Sequence, residues 1–367
     1  MTPVELSRTV LCAVRRAVDA GELRVDVPER VSVTPPGPGG CGDYATGIAL
    51  KLARPAGEPP LRVAEILRPH LGSAPGVKDV VVTGPGFLNI TLQDTSIVEE
   101  ILRAGPRYGH VDAPTAELTR LHAPDEPRAV VVMDTVARVL RTQGTPVRTS
   151  CDSRPPSQWT TSLGVEIDTY GTPEHPAVHI RPLPARLPLP ALGRDATRWA
   201  LLHPAPHDHA HLTPDHLVQR ESNPLFRVRY AHARTRALTR NAASLGFTST
   251  RPTTPSTTPD PRDTPGPRNP PAHQTPPEPA PAHPLHLLLA DHPRILTTTA
   301  THHTPHRLTH HLVAIADALL PLLPYALPTG EEKPEAAHRT RLALAEAAGT
   351  VLAGGLSLLG IDAPEHL

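Results

Sequence analysis

Four side chains in the second half of the chain are spaced to grip an anionic polymer. Arg227, Tyr230, Arg234 and Arg236 fall at three- and four-residue intervals on a helix predicted from Pro224 to Gly246. Such residues are approximate neighbours on a helix surface. Guanidinium groups pair with phosphates, and an aromatic between them suits a nucleic-acid backbone. The competing reading is a solvated basic face, with Tyr230 and His232 turned into a helix interface. Histidines offer a second chemistry. His207, His209 and His211 alternate, and His302, His306 and His310 would line one helix face; imidazole suits zinc. Yet Pro305 interrupts the second set, no cysteine accompanies either, and the chain holds 22 histidines. No metal is expected. Cys12, Cys41 and Cys151 form no CxxC and are too few for paired bridges. Free thiols in a reducing cytoplasm are expected, with Cys12 buried among apolar helical neighbours. No Ser/His/Asp constellation can be argued from spacing.

Composition limits what can hold these groups. The 367 residues carry 36 basic and 36 acidic side chains, for a net charge of zero at pH 7. A globally basic nucleic-acid wrapper is excluded, though a local basic face is not, and no DNA partner is expected. Only Lys51, Lys78 and Lys333 are lysines, so the positive charge is almost all arginine. The 48 prolines exclude long uninterrupted helices and central strands over much of the length. No run of eighteen apolar residues occurs, and Glu5 and Arg8 stand where a leader would be apolar. Neither export nor a membrane partner is expected.

Residues 1–104 read as an α+β domain. Val4, Leu11, Val14 and Val18 mark a first helix. Asp43 is placed as the cap of a helix through Leu52, and Pro60 to Leu71 as another. Val77 to Thr83 and Phe87 to Leu92 are strands joined at Gly84-Pro85-Gly86, and Asp94 caps a helix to Ala104. Residues 105–190 are poorer, with one helix from Pro127 to Gln143 capped by Asp125. Prolines recur from Arg154 to Pro190, where loop is expected. Residues 191–367 read as mostly α-helical, closing with a helix from Pro334 to Leu359. A Pro/Thr-rich insert at 248–284 holds thirteen prolines and is expected to be disordered.

Two sets of motifs point to one family. Gly42-Asp43-Tyr44-Ala45-Thr46-Gly47-Ile48-Ala49-Leu50-Lys51-Leu52-Ala53, followed by Gly84-Pro85-Gly86-Phe87-Leu88-Asn89-Ile90, resembles the N-terminal additional domain of arginyl-tRNA synthetases. That resemblance covers nearly all of 1–95 and implies a grip on the D-loop corner of tRNA. Phe87 would stack on an unpaired base and Asn89 hydrogen-bond to it; alternatively Phe87 is core and Asn89 closes a turn. Asp195-Ala196-Thr197-Arg198 is close to the Asp-Ala-Leu-Arg signature of the same family's anticodon-binding bundle. Asn223 to Arg234 looks like its tRNA-facing helix, and Arg198 of the Asp195–Arg198 motif joins the candidate contacts. Pro305-His306-Arg307-Leu308 and Gly355 to Ile361 continue the pattern across 191–247 and 285–367.

Between these ends the family carries a class I catalytic domain, and 105–190 resembles only a collapsed remnant of it. Arg128 to Arg141 is similar to the helix after the family's His-x-Gly-His signature, but Ala123, Asp125 and Glu126 fall at the signature positions and His122 is one position off. Two carboxylates would stand where an ATP phosphate must bind. The Lys-Met-Ser-Lys-Ser loop is absent, with no lysine between Lys78 and Lys333. The expectation is a tRNA-binding, synthetase-like protein without aminoacylation activity, catalytic residues or cofactor. Its partners would be tRNA, arginine tRNA among them, and an enzyme that uses aminoacyl-tRNA. The alternatives are an arginine–tRNA ligase, which requires ATP, and a protein-interaction scaffold.

Overall fold

A computed structural model describes residues 3–366 except 35, 37–40, 93, 112–116, 174, 186–188, 190, 250–282 and 329–335. Helices α1 (Pro3–Asp19), α2 (Ile48–Ala56) and α3 (Pro60–Gly72) pack with a three-stranded antiparallel sheet of β1 (Tyr44–Thr46), β2 (Val77–Thr83) and β3 (Phe87–Leu92), in the order β1-β3-β2. Leu6, Val10, Val14 and Ala17 recur at helical spacing on α1 and are buried. At the β2–β3 turn Gly86 has φ +133°, and a Cβ there would lie 2.8 Å from the Pro60 carbonyl oxygen. Only glycine lets this turn press against α3.

Asp43 does not cap a helix. It precedes β1, and its carboxylate accepts the Leu92 N–H, locking the edge strand to the end of β3. Cys12 is exposed, because it points away from the apolar stripe of α1. Helix α4 (Asp94–Ala104) begins at the expected residue but joins the second core, through Ile97, Val98 and Ile101.

Residues 105–190 are more regular than their prolines suggest. Strands β4 (Thr119–Ala123), β5 (Val147–Cys151), β6 (Thr169–Tyr170) and β7 (Val178–His179) form a wholly parallel sheet in the order β6-β5-β4-β7. Helix α5 (Pro127–Thr142) crosses from β4 to β5, and α6 (Ser157–Leu163) lies between β5 and β6. Two successive strands are added on one side of β4, then the chain returns to its other side. This is the strand order of a doubly wound α/β sheet, followed as far as its switch point. The expected loop from Arg154 to Pro190 therefore contains α6, β6 and β7; the two strands are only two residues each, too short for a periodic signal. Every residue of α5 from Pro127 to Leu140 except Arg138 is buried.

The remaining helices are α7 (Gly193–Leu202), α8 (Pro224–Ser244), α9 (His283–His302), α10 (His306–Leu319) and α11 (Ala336–Leu358). The expected disordered insert lies, from 250 to 282, outside the described residues. Gly349 on α11 meets α8 so closely that a Cβ would sit 2.3 Å from Thr235 Oγ1. His302 and His306 fall on different helices, so no single face carries His302, His306 and His310. The stretch His306–Tyr325 is long and apolar enough to cross a membrane. Leu308, Leu312, Ile315, Leu319 and Leu323 are nevertheless buried in the bundle, as in a core helix.

Candidate nucleic-acid interface

Helix α8 starts at Asn223, whose side chain accepts the Leu225 N–H, with Pro224 as its first residue. Leu225, Val228, Ala231, Leu238 and Ala242 bury one face. At about 100° per residue, Arg227, Tyr230 and Arg234 then fall within about 60° of one another. Arg236 falls on the opposite flank with Arg229 and Arg240. The four residues expected to cluster are therefore split three and one. Arg227 pairs with Asp317 at 3.0 Å. Tyr230, 38% exposed, stacks on Phe226 with ring centroids 5.4 Å apart. Arg234 is exposed and forms no ion pair among the described residues. Arg236 donates to Glu365 Oε1 from Nε (3.1 Å) and Nη2 (2.7 Å). That contact holds the Glu365 carboxyl below its ordinary range. Beside Phe226 and Arg229 opens a cleft of about 350 Å³, lined also by Arg194, Asp195, Gln219 and Asp362. Burial raises the Asp195 pKa, against the lowering by its backbone hydrogen bond and Arg229.

In the first domain, Phe87 is 41% exposed and its ring lies over Gly47, where a Cβ would be 3.5 Å from it. Asn89 is not exposed beside it. It is 2% exposed, donates to Val81 O and Thr83 Oγ1, and accepts the Cys41 N–H. With its amide spent on fixing the β2–β3 hairpin to Cys41, Asn89 lies beneath the surface that Phe87 occupies.

Arg198 is likewise no surface contact. It is fully buried, and its guanidinium donates to Asp134 Oδ2 (2.6 Å), Leu359 O (2.6 Å), Leu163 O (2.8 Å) and Thr135 Oγ1 (3.2 Å). It ties α7 to α5, α6 and the end of α11. Gly360, at φ +70°, leaves the room: a Cβ there would lie 2.5 Å from Arg198 Cζ.

At the carboxyl end of β4 the chain turns directly into α5. Glu126, not Asp125, is the cap: its carboxylate accepts the N–H groups of Arg128 (3.1 Å), Ala129 (2.7 Å) and Ala185 (2.7 Å). Asp125 accepts instead from the Ser153 hydroxyl at 2.6 Å. Arg128 is fully buried and donates to the carbonyls of Leu183, Leu201, Pro204, Ala205 and Asp208. These bonds fold the segment after β7 over the helix start. His122 contacts Ser150 Oγ and Asp152 Oδ1, each at 2.9 Å. A helix N-terminus at a strand end is where such folds receive phosphate; here a side-chain carboxylate fills it.

Residues 5–92 match the arginyl tRNA synthetase N terminal domain, and residues 228–367 match the DALR anticodon binding domain. The chain belongs to the arginyl-tRNA synthetase family. It is 35% identical over 198 residues to the arginine–tRNA ligase of Frankia alni, which covers 50% of this chain and 35% of that protein. Against that of Kineococcus radiotolerans it is 39% identical over 163 residues, 40% of this chain and 29% of the other. The chain thus spans about a third of the length of the curated relatives it matches. Thermus thermophilus arginyl-tRNA synthetase superposes with a TM-score of 0.65 at 15% identity, spanning 100% of both chains. The Plasmodium falciparum enzyme gives 0.64 at 8% identity, spanning 100% of this chain and 99% of that one. At those identities the likeness is one of fold.

Within this synthetase-family frame, sequence reasoning missed Phe226 as the stacking partner of Tyr230, Glu126 as the cap of α5, and the burial of Arg128. Phe226 stands four residues before Tyr230, so their stacking was readable from helical spacing. Glu126 immediately before Pro127 was a usable cap signal. Nothing local marks Arg128, whose acceptors lie 55 to 80 residues away in sequence.

Proposed function

We propose that the chain is a tRNA-binding member of the arginyl-tRNA synthetase family that does not aminoacylate. The observation that carries this reading is the Glu126 carboxylate on the N-terminus of α5. An ATP phosphate brought to that position would meet a carboxylate whose lone pairs already satisfy three N–H groups, with Asp125 beside it. The residues present do not fit ATP there. Support for tRNA comes from the two matched family domains, from exposed Phe87, and from the Arg227–Tyr230–Arg234 stripe on α8. Bound aminoacyl-tRNA would pass to an enzyme that consumes it.

Binding of total tRNA across a salt series, run alongside ATP–pyrophosphate exchange with arginine, tests the proposal. Binding that weakens steeply with salt, without exchange, is the expected result. Arginine-dependent exchange would overturn it. The competing reading, an arginine–tRNA ligase, is favoured by the names of the matched relatives and requires ATP.

A further inference from the structure

Parallel sheets ordinarily carry helices on both faces, and their strands are apolar throughout. Strands β4 and β5 alternate instead. Leu121, Ala123 and Cys151 face the core under α5, while Arg120, His122, Arg148 and Ser150 occupy the intervening positions on the other face. That face opens into a cleft of about 260 Å³, lined by Arg120, Arg148, Ser150, Thr169, Tyr170 and His175 among others.

Arg120 and Arg148 are register partners on adjacent strands, whose backbones run about 4.8 Å apart. Like charges directly opposite each other destabilise a sheet. Neither arginine side chain has an ion pair or hydrogen bond among the described residues, and no described residue lining the cleft is a carboxylate. Among the described carboxylates on this sheet, Asp168 accepts from the N–H and hydroxyl of Thr149, and Asp152 contacts His122. Among the described residues, the paired guanidiniums are an electrostatic conflict that a bound anion would relieve. At its edge Tyr170 is 46% exposed, with the Arg154 guanidinium 6.0 Å from its ring centroid. Two guanidiniums share a phosphate well, and aromatic rings hold bases by stacking.

We propose that this cleft binds a nucleoside phosphate, with Arg120 and Arg148 sharing the phosphate and the base lying against Tyr170. The site is on the face opposite α5, apart from the Glu126 cap. The nucleotide belongs either to an RNA strand or to a free mononucleotide.

The test titrates the full chain and its Arg120→Gln/Arg148→Gln variant with 5′-AMP and, separately, with total tRNA at low salt. An Arg148→Gln variant, changed at an exposed position, guards against misfolding of the double variant. Loss of about tenfold or more in affinity for tRNA supports the site and assigns the polymer. A loss confined to 5′-AMP supports it and assigns the free nucleotide. Unchanged binding of both ligands, or no binding of either by the wild type, overturns it. If tRNA fails to bind the wild type, the tRNA reading falls alone and the 5′-AMP arm still decides this site.

Discussion

Arg198 donates to Asp134 across 2.6 Å, and both side chains are buried. Burial works against the arginine's charge and Asp134 offsets it. Arg138 reaches the same carboxylate oxygen at 3.0 Å. Arg198 is thus spent on joining helices. Arg198→Met leaves Asp134 buried with less compensation and frees the carbonyls of Leu163 and Leu359. It should cost about 3–5 kcal/mol of stability, read from urea unfolding. A loss under 1 kcal/mol would contradict this structural role.

Tyr230→Ala should weaken tRNA binding by about 1–3 kcal/mol if a base stacks on the Phe226–Tyr230 pair. Arg234→Gln should lower the salt slope of binding by about one. Arg236→Gln, on the opposite flank and paired with Glu365, should leave the slope unchanged. Equal slopes for the two arginine variants would disprove that tRNA meets the Arg234 flank and not the Arg236 flank.

Glu126→Ala removes the acceptor for three backbone N–H groups. Loss of a helix cap costs about 0.5–2 kcal/mol, so a melting temperature lower by several degrees is expected. Neither variant nor wild type should catalyse ATP–pyrophosphate exchange.

Buried histidines give the fold an acid limit. Burial pushes His203 and His311 down to about 4 and His292 well below its ordinary value. Unfolded histidine titrates near 6.5, so the unfolded chain gains protons that the folded one refuses. This contribution is fully present above about pH 6.5 and is lost as pH falls towards 4. Each such histidine removes up to about 1.4 kcal/mol per pH unit in that window. Urea midpoints at pH 7.5 and pH 5 test the sign; His311→Gln should flatten the dependence.

Gly349→Ala drives a Cβ to 2.3 Å from Thr235 Oγ1. Overpacking of this kind costs about 1–3 kcal/mol. Combining it with Thr235→Ala should recover part of that loss, a coupling that a double-mutant cycle reads directly.

The longer elements were legible from their apolar patterns: α3, β2, β3, α5 and α8 stand within two residues of their expected bounds. The parallel sheet was not, since β6 and β7 are two residues each and are held by register with longer neighbours. Of the candidate contacts, Phe87, Tyr230 and Arg234 are exposed as their spacing suggested. Asn89 and Arg198 are buried because their partners come from distant segments: Cys41 for the first, Asp134 and Leu359 for the second. A motif marks such residues without saying whether they touch a ligand or hold the frame.

Helix α5 packs on β4 and β5 on one side and on α7, α9 and α11 on others. Its residues lie in one core that runs from Ile97 to Ile361, whereas Leu6 to Leu92 form another. No plane separates the sheet from the bundle. A shortened chain built by excising the sheet and splicing the two ends together would lose the floor on which α7 to α11 stand. The part of this molecule with a core of its own is its first 92 residues, touched by α9 at α1 and through Leu287, and calorimetry should show that boundary as the line between two melting transitions.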